Sequence, residues 1–315
     1  MARILANDGI HPAGKKMLED AGHEVVTDKI AQSDLMNELN SFDSIVVRSA
    51  TTVRAELIDA SPNLKVIARA GVGLDNIDVT YAESKGIRVI NTPAASSRSV
   101  AELVFAHILT VSRFLHTNNR AMPQKGASEF KVLKKQSSKG LELMNRSIGV
   151  VGFGRIGQEV AKIALGMGMQ VYAADPFVNE TSLDLNIAGN EISVPLKTIE
   201  LEDLLAKSDF VTLHVPFSGG KPIIGEKELA LMKSTAIIVN ASRGGVVDET
   251  ALMNAIDAGN LFGAGLDVFV NEPTPDSTIL GFDGISVTPH IGASTNQAQE
   301  NIGTEIARKI IALLG

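Results

Sequence analysis

Twice along the chain, short runs rich in β-branched residues alternate with helix-patterned stretches. The first series of strands is expected at residues 3–6, 24–26, 44–48, 65–68 and 88–90, with helices between them, as at 12–21 and 78–84. The second is expected at 148–152, 171–174, 210–214, 236–240, 264–268 and 285–288, with a helix at 158–167. Strands interleaved with helices pair in parallel and are covered on both faces. The pattern reads as two similar α/β domains, and 315 residues suit two units of about 150.

Between the two series lies a long helical pattern, residues 99–115, with Ala101, Val104, Phe105, Ile108 and Val111 on one face. A polar, basic stretch follows at 118–139, holding Lys131, Lys134, Lys135 and Lys139 without a clear period. It reads as a disordered linker or as an arm docking on another subunit. Phe130, Val132 and Leu133 would need cover, which favours the arm. The chain closes on Ala298, Ile302, Ile306, Ile310 and Leu314, a stripe at spacing four that could cover either domain.

Composition removes several function classes. Without cysteine the chain has no disulfide, thiolate metal site or cysteine nucleophile. No metal site is expected. The first eight residues are too short and too polar for a signal peptide, and no run approaches the roughly 20 apolar residues of a membrane span. A cytoplasmic setting is expected, with no membrane partner. The net charge of −7 argues against a nucleic-acid partner, which would call for a basic face.

The segment from Ser147 to Gly157 reads as strand, tight turn and helix start, with Gly152, Gly154 and Gly157 in a G-x-G-x-x-G pattern. The first glycine permits the turn, the second lets backbone approach a pyrophosphate, and the third lets helix and strand pack closely. The helix N-terminus then favours the anion. Such a pattern alone is often an ordinary loop, but here a strand precedes it and an amphipathic helix follows. The next strand ends in Asp175, 18 residues past Gly157. An acid there can accept both ribose hydroxyls and repels a 2′-phosphate, which favours NAD over NADP.

Three later segments end expected strands with chemically useful side chains, at 240–245, 267–273 and 288–294. The ligand crevice of an open α/β sheet lies at such strand ends. Singly, Arg243 reads as a surface ion pair, Glu272 as a loop acid and His290 as one of six ordinary histidines. Together they supply a fork for a carboxylate, a proton exchanger near neutral pH, and an acid to orient it.

These segments carry a resemblance. Residues 45–51, 69–78 and 91–93, the glycine turn, and residues 241–245, 266–269 and 289–295 resemble the D-2-hydroxyacid dehydrogenase family, and within it the phosphoglycerate dehydrogenases. The resemblance implies two doubly wound parallel-sheet domains. A Rossmann-type NAD domain, 98–290, is inserted into a flavodoxin-like substrate domain formed by 1–97 and 291–315. It implies a homodimer built around the long helix and the arm after it.

It also implies site roles. His290 matches the acid–base position, Glu272 its partner and Arg243 the substrate clamp. Arg155, Ile156, Asp175, Val215, Ala241, Asp267, His290 and Gly292 match cofactor contacts beside the three glycines. Val72 and Gly73 match the loop whose N–H groups hold a substrate carboxylate. Arg48 and Arg69, at strand ends of the first series, match phosphate-binding arginines, and Lys135 is expected to reach the partner subunit's site. The substrate implied is a small phosphorylated 2-hydroxy acid, D-3-phosphoglycerate, oxidised at C2 by NAD. Other enzymes of the family, acting on glyoxylate, hydroxypyruvate or D-lactate, are the alternative, as is an NAD-sensing binding protein of the same fold. The stretch 218–222 departs from the family's usual loop. No serine-sensing domain is expected after Gly315.

Overall fold

In the computed structural model, residues 1–217 and 219–315 are described; Ser218, in the divergent 218–222 loop, lies outside them. The chain forms two compact units. Unit 1 comprises Met1–Ser97 with Ala293–Gly315, and unit 2 comprises Arg98–Gly292.

In unit 1, β1 (Arg3–Ala6), β2 (Glu24–Val26), β3 (Ser44–Val47), β4 (Val66–Arg69) and β5 (Arg88–Asn91) form a parallel sheet of order β2-β1-β3-β4-β5. This is the flavodoxin-like order. Successive strand residues serve opposite faces. Leu5, Ile45, Val47 and Ile67 pack with Leu35, Leu39, Leu57 and Ile58 of helices α2 (Leu35–Glu38) and α3 (Ala55–Asp59) and the 3₁₀ turn Leu39–Ser41, and with Ala82 of α4 (Val79–Ser84). Ile4, Ala6, Val46, Val66 and Ala68 pack with Leu18 of α1 (Pro12–Asp20) and with Ile302, Ile306 and Ile310 of the C-terminal helix. Strands covered on both faces need near-continuous apolar runs, and the central ones supply them in Ile4–Ala6, Ile45–Val47 and Val66–Ala68. The helix α1 lies so close to the C-terminal helix that a Cβ on Gly14 would sit 2.4 Å from the Gly303 oxygen.

Unit 2 opens with α5 (Ser97–Ser112), whose Ala101, Val104, Phe105, Ile108 and Val111 enter its core. The basic stretch then folds as α6 (Leu115–Gln136), followed by a 3₁₀ turn at Ser137–Lys139. It is thus a helix, interrupted by non-helical backbone at Glu129, where the sequence suggested no period. Among its described residues only Leu133 is buried, so burial imposed no stripe that a periodicity search could find.

The six strands β6 (Ser147–Val151), β7 (Gln170–Ala174), β10 (Phe210–Leu213), β11 (Ile237–Asn240), β12 (Gly263–Leu266) and β13 (Ile285–Val287) form a parallel sheet of order β13-β12-β11-β10-β6-β7. Its core is flanked by α7 (Arg155–Gly166), α8 (Leu201–Lys207), α9 (Glu226–Leu231), α10 (Glu249–Asp257) and α11 (Ser277–Leu280). The last helix, α12 (Asn296–Leu314), belongs to unit 1.

One element was not anticipated. β8 (Glu180–Ile187) and β9 (Asn190–Lys197) form an antiparallel hairpin, turned by Ala188 and Gly189 at φ 51° and 84°. Positive φ at both turn residues matches the right-handed twist of the strands. Leu183 and Leu185 are buried and anchor it in the unit 2 core. The chain then returns as a single bridge, Thr198 beside Ala173, at the edge of β7.

Candidate active site and cofactor cradle

The glycine turn is built as its chemistry requires. Gly152 has φ 88°, and a Cβ there would lie 2.5 Å from the His214 oxygen. A Cβ on Gly157 would lie 2.2 Å from the Gly152 oxygen, so the start of α7 rests directly on the turn. Gly154, the N-cap of α7, would project a Cβ into open space. That opening, with Arg155 and Ile156 as the first helical residues, fits a pyrophosphate drawn to the helix N-terminus. Asp175 follows β7. It accepts the Phe153 N–H at 2.7 Å and the Phe177 N–H at 2.8 Å, so its carboxylate is held in a fixed orientation beside the turn. Val215 borders the turn, since its Cγ1 would lie 2.9 Å from a Cβ on Gly152.

The loops after β11, β12 and β13 bring Arg243, Glu272 and His290 to one pocket of about 290 Å³, shared with Phe217, Gly244, Gly245 and Val268–Asn271. Asn240, the last residue of β11, organises the first loop by accepting from Ser242 N–H and hydroxyl and donating to the Arg243 oxygen. Arg243 donates from Nη1 to the Ser242 oxygen at 2.7 Å. Glu272 accepts the Phe269 N–H at 2.8 Å through Oε1, and Oε2 lies 2.7 Å from His290 Nδ1.

The charges reinforce one another. The bond to Glu272 raises the His290 pKa above 6.5 against partial desolvation, and the charges of Glu272 and Asp267 add to it while Arg243 opposes. Desolvation pushes Glu272 upward, but the bonds from His290 and Phe269 and the nearby Arg243 hold it below the usual carboxylate range. Because Glu272 only accepts, Nδ1 of His290 carries the proton in this pair and Nε2 remains as the basic nitrogen.

The His290 backbone itself is left-handed, at φ 53°. Asp267, 1% exposed, holds this turn by accepting the Ile291 and Gly292 N–H groups, each at 2.8 Å. Ala241 is half-buried immediately after β11.

In unit 1, Arg48 and Arg69 stand at the carboxyl ends of the neighbouring strands β3 and β4. The Arg48 backbone and Thr51 are tied to Asp8, and Asn76 donates to the Arg48 and Thr51 oxygens. The Arg48 guanidinium donates to Gln299 Oε1 of α12, whose own amide donates to the Ala293 oxygen. Arg69 folds back over Gly71 and donates to the Ala70 oxygen at 2.8 Å. In the next loop Val72 is exposed, its oxygen accepting from Asn91, and Gly73 follows. Lys135 is exposed near the end of α6.

Reading the sequence missed Asp8, Asn76 and Gln299, which set the Arg48 loop, and Asn240, which sets the Arg243 loop. Asp8, just past the first strand, was the visible signal. Asn76 and Asn240 lie inside the stretches 69–78 and 240–245 already singled out, and Gln299 shows only through its partner.

Residues 105–292 match the D-isomer specific 2-hydroxyacid dehydrogenase, NAD binding domain. The chain belongs to that family. Unit 2 is accordingly its NAD-binding unit, and the three glycines with Asp175 form a cradle of the right chemistry. The chain is 42% identical to a hydroxypyruvate reductase of Thermotoga maritima, over 99% of this chain and 98% of that one. It is 41% identical to a D-3-phosphoglycerate dehydrogenase of Methanocaldococcus jannaschii, over 100% of this chain but 58% of that protein. Among solved structures, a protein from Thermus thermophilus superposes with a TM-score of 0.84 at 30% identity, covering 99% of this chain and 96% of that one. A cofactor-bound 3-phosphoglycerate dehydrogenase of Entamoeba histolytica superposes at 0.76 with 27% identity, over 99% and 95%. No helix among the described residues is long and apolar enough to cross a membrane.

Proposed function

We propose that this NAD-dependent D-2-hydroxyacid dehydrogenase oxidises D-3-phosphoglycerate to 3-phosphohydroxypyruvate, the entry step of phosphorylated serine biosynthesis. The single observation that carries the choice is the pair of arginines at adjacent strand ends, Arg48 and Arg69. With Arg243 assigned to the substrate carboxylate, two further guanidiniums suit a second anionic group, which a phosphate supplies and an unphosphorylated acid lacks. The net charge of −7 makes such local positive charge necessary for binding a dianionic head and a carboxylate.

Chemically, the C2 alcohol loses a hydride from carbon and a proton from oxygen. Bound NAD supplies the hydride acceptor. Nε2 of His290 takes the hydroxyl proton, and Glu272 stabilises the imidazolium that results. Arg243 binds the carboxylate and offsets charge on the C2 oxygen. The N–H groups around Val72 and Gly73 are assigned to the same carboxylate. Cofactor contacts are assigned to Gly152, Gly154, Arg155, Ile156, Gly157, Asp175, Val215, Ala241, Asp267, His290 and Gly292, and Asp175 selects NAD over NADP. We assign the enzyme to the cytoplasm as a homodimer formed through α5 and α6, where Leu109, Leu115, Met122, Phe130 and Val132 are exposed. In that dimer Lys135 reaches toward the partner subunit's substrate.

The near full-length similarity to a hydroxypyruvate reductase supports a second reading, reduction of an unphosphorylated 2-keto acid. One panel decides: NADH formation with D-3-phosphoglycerate against NADH oxidation with hydroxypyruvate and glyoxylate. A higher kcat/KM for the phosphorylated acid supports the first reading, and the reverse overturns it.

A further inference from the structure

His107 lies in α5, outside every motif, and the proposed chemistry does not use it. It is 2% exposed. The helix reaches the sheet closely because β12 is bare at two places. A Cβ on Gly263 would lie 2.8 Å from Val111 Cγ1, and a Cβ on Gly265 would lie 2.5 Å from the His107 Cβ. Glycine in a strand interior often marks such an approach. The imidazole thereby reaches β13 and the residue after it: Nδ1 is 3.0 Å from Ser286 Oγ and Nε2 is 3.0 Å from Thr288 Oγ1.

The protons in this chain can be assigned by elimination. Thr288 Oγ1 lies 2.6 Å from Asp267 Oδ1, and a carboxylate only accepts, so the single Thr288 hydroxyl proton goes to Asp267. The Thr288 oxygen must then accept from His107, which puts the ring proton on Nε2. Nδ1 accepts the Ser286 hydroxyl. The chain needs a neutral imidazole. Burial lowers the His107 pKa below 6.5 and His116 adds to this, against the opposing charge of Asp267.

Asp267 is also the residue that holds the Ile291 and Gly292 N–H groups and so closes the left-handed turn at His290. We propose that His107 is a positioning residue: through Thr288 it fixes the Asp267 carboxylate, and with it the turn that presents His290. The proposal rests on His290 being the acid–base group. Deleting the His107 donor leaves the Thr288 oxygen unanchored, so the hydroxyl that donates to Asp267 is no longer held in one orientation.

The test uses the full chain with His107→Leu, His107→Gln and Thr288→Val. The glutamine keeps an N–H donor toward Thr288. Two readouts are taken. One is kcat and KM with NAD and the best 2-hydroxy acid. The other is the NMR titration of His290 in the ligand-free protein, where the facing charges are Glu272, Asp267 and Arg243. His107→Leu and Thr288→Val are expected to lower kcat about tenfold, because small misplacements of a reacting group are costly. They are also expected to move the His290 midpoint downward as Asp267 loosens, with His107→Gln restoring most of both. Wild-type kcat and an unmoved His290 midpoint in His107→Leu overturn the proposal. So do equal losses in His107→Leu and His107→Gln that track a fall in Tm, since that is packing alone. If His107→Leu fails to fold, Thr288→Val carries the same decision. Absence of turnover in the wild type would sink the dehydrogenase reading, while the His290 titration would still judge the positioning.

Discussion

Nδ1 of His290 lies 2.7 Å from Oε2 of Glu272, across 18 residues of chain, and this contact sets the protonation of the site. The bond favours the imidazolium, so His290 stays charged to a higher pH than free imidazole. Oxidation of an alcohol needs the neutral ring. Its kcat/KM should therefore rise with pH through a midpoint above 6.5, while reduction of the keto acid falls through the same range. Glu272→Gln removes the charge that raises the midpoint, so the oxidation profile should move to lower pH as kcat falls. A pH–rate series on both proteins checks this, and an unmoved midpoint would contradict the pairing.

His290→Gln keeps a polar side chain at the site but cannot exchange a proton. Turnover should fall by about 10² or more, the usual worth of a positioned acid–base group. NADH binding, read by fluorescence titration, should persist, weakened by no more than the one contact assigned to His290, because the glycine turn and Asp175 are untouched. Wild-type turnover would remove His290 from the mechanism.

The arginine pair predicts a selective defect. Arg48→Ala with Arg69→Ala should raise KM for 3-phosphoglycerate strongly and leave KM for NAD nearly unchanged. Hydroxypyruvate, lacking the phosphate, should be affected less. Equal losses for phosphorylated and unphosphorylated substrates would assign the arginines to loop structure, which Gln299 and Ala70 also engage.

Two of the three turn glycines should fail differently. Gly157→Ala drives a methyl to within 2.2 Å of the Gly152 oxygen and should cost about 1–3 kcal/mol, read as a drop in Tm. Gly154→Ala meets nothing in the protein, so Tm should hold while NADH affinity falls, because the methyl enters the space a pyrophosphate would need. Equal Tm losses at both positions would refute this division of labour.

Periodicity and turn chemistry are local, so much was legible. Every strand of both parallel sheets falls within one or two residues of where apolar runs put it, because strands covered on both faces need continuous apolar residues. The hairpin was missed although Leu183, Leu185 and Ile187 alternate before the Ala188–Gly189 turn and Ile192, Val194 and Leu196 after it. Its alternation is a weak signal against the strand–helix rhythm of the segments on either side. The helix α6 was missed for the opposite reason, since it buries almost no face.

By itself, the chain's order of residues determined two parallel-sheet units, a dinucleotide turn with its acid, and three loops carrying Arg243, Glu272 and His290. Those signals lie within single segments, where backbone sterics and strand ends dictate the use of each residue. Only the tertiary structure decided which side chains share protons. Asp8 with Thr51, Arg48 with Gln299 and His107 with Thr288 are 43, 251 and 181 residues apart. Their meeting depends on strand order and on how closely a helix can approach a strand of glycines, and no local pattern encodes either.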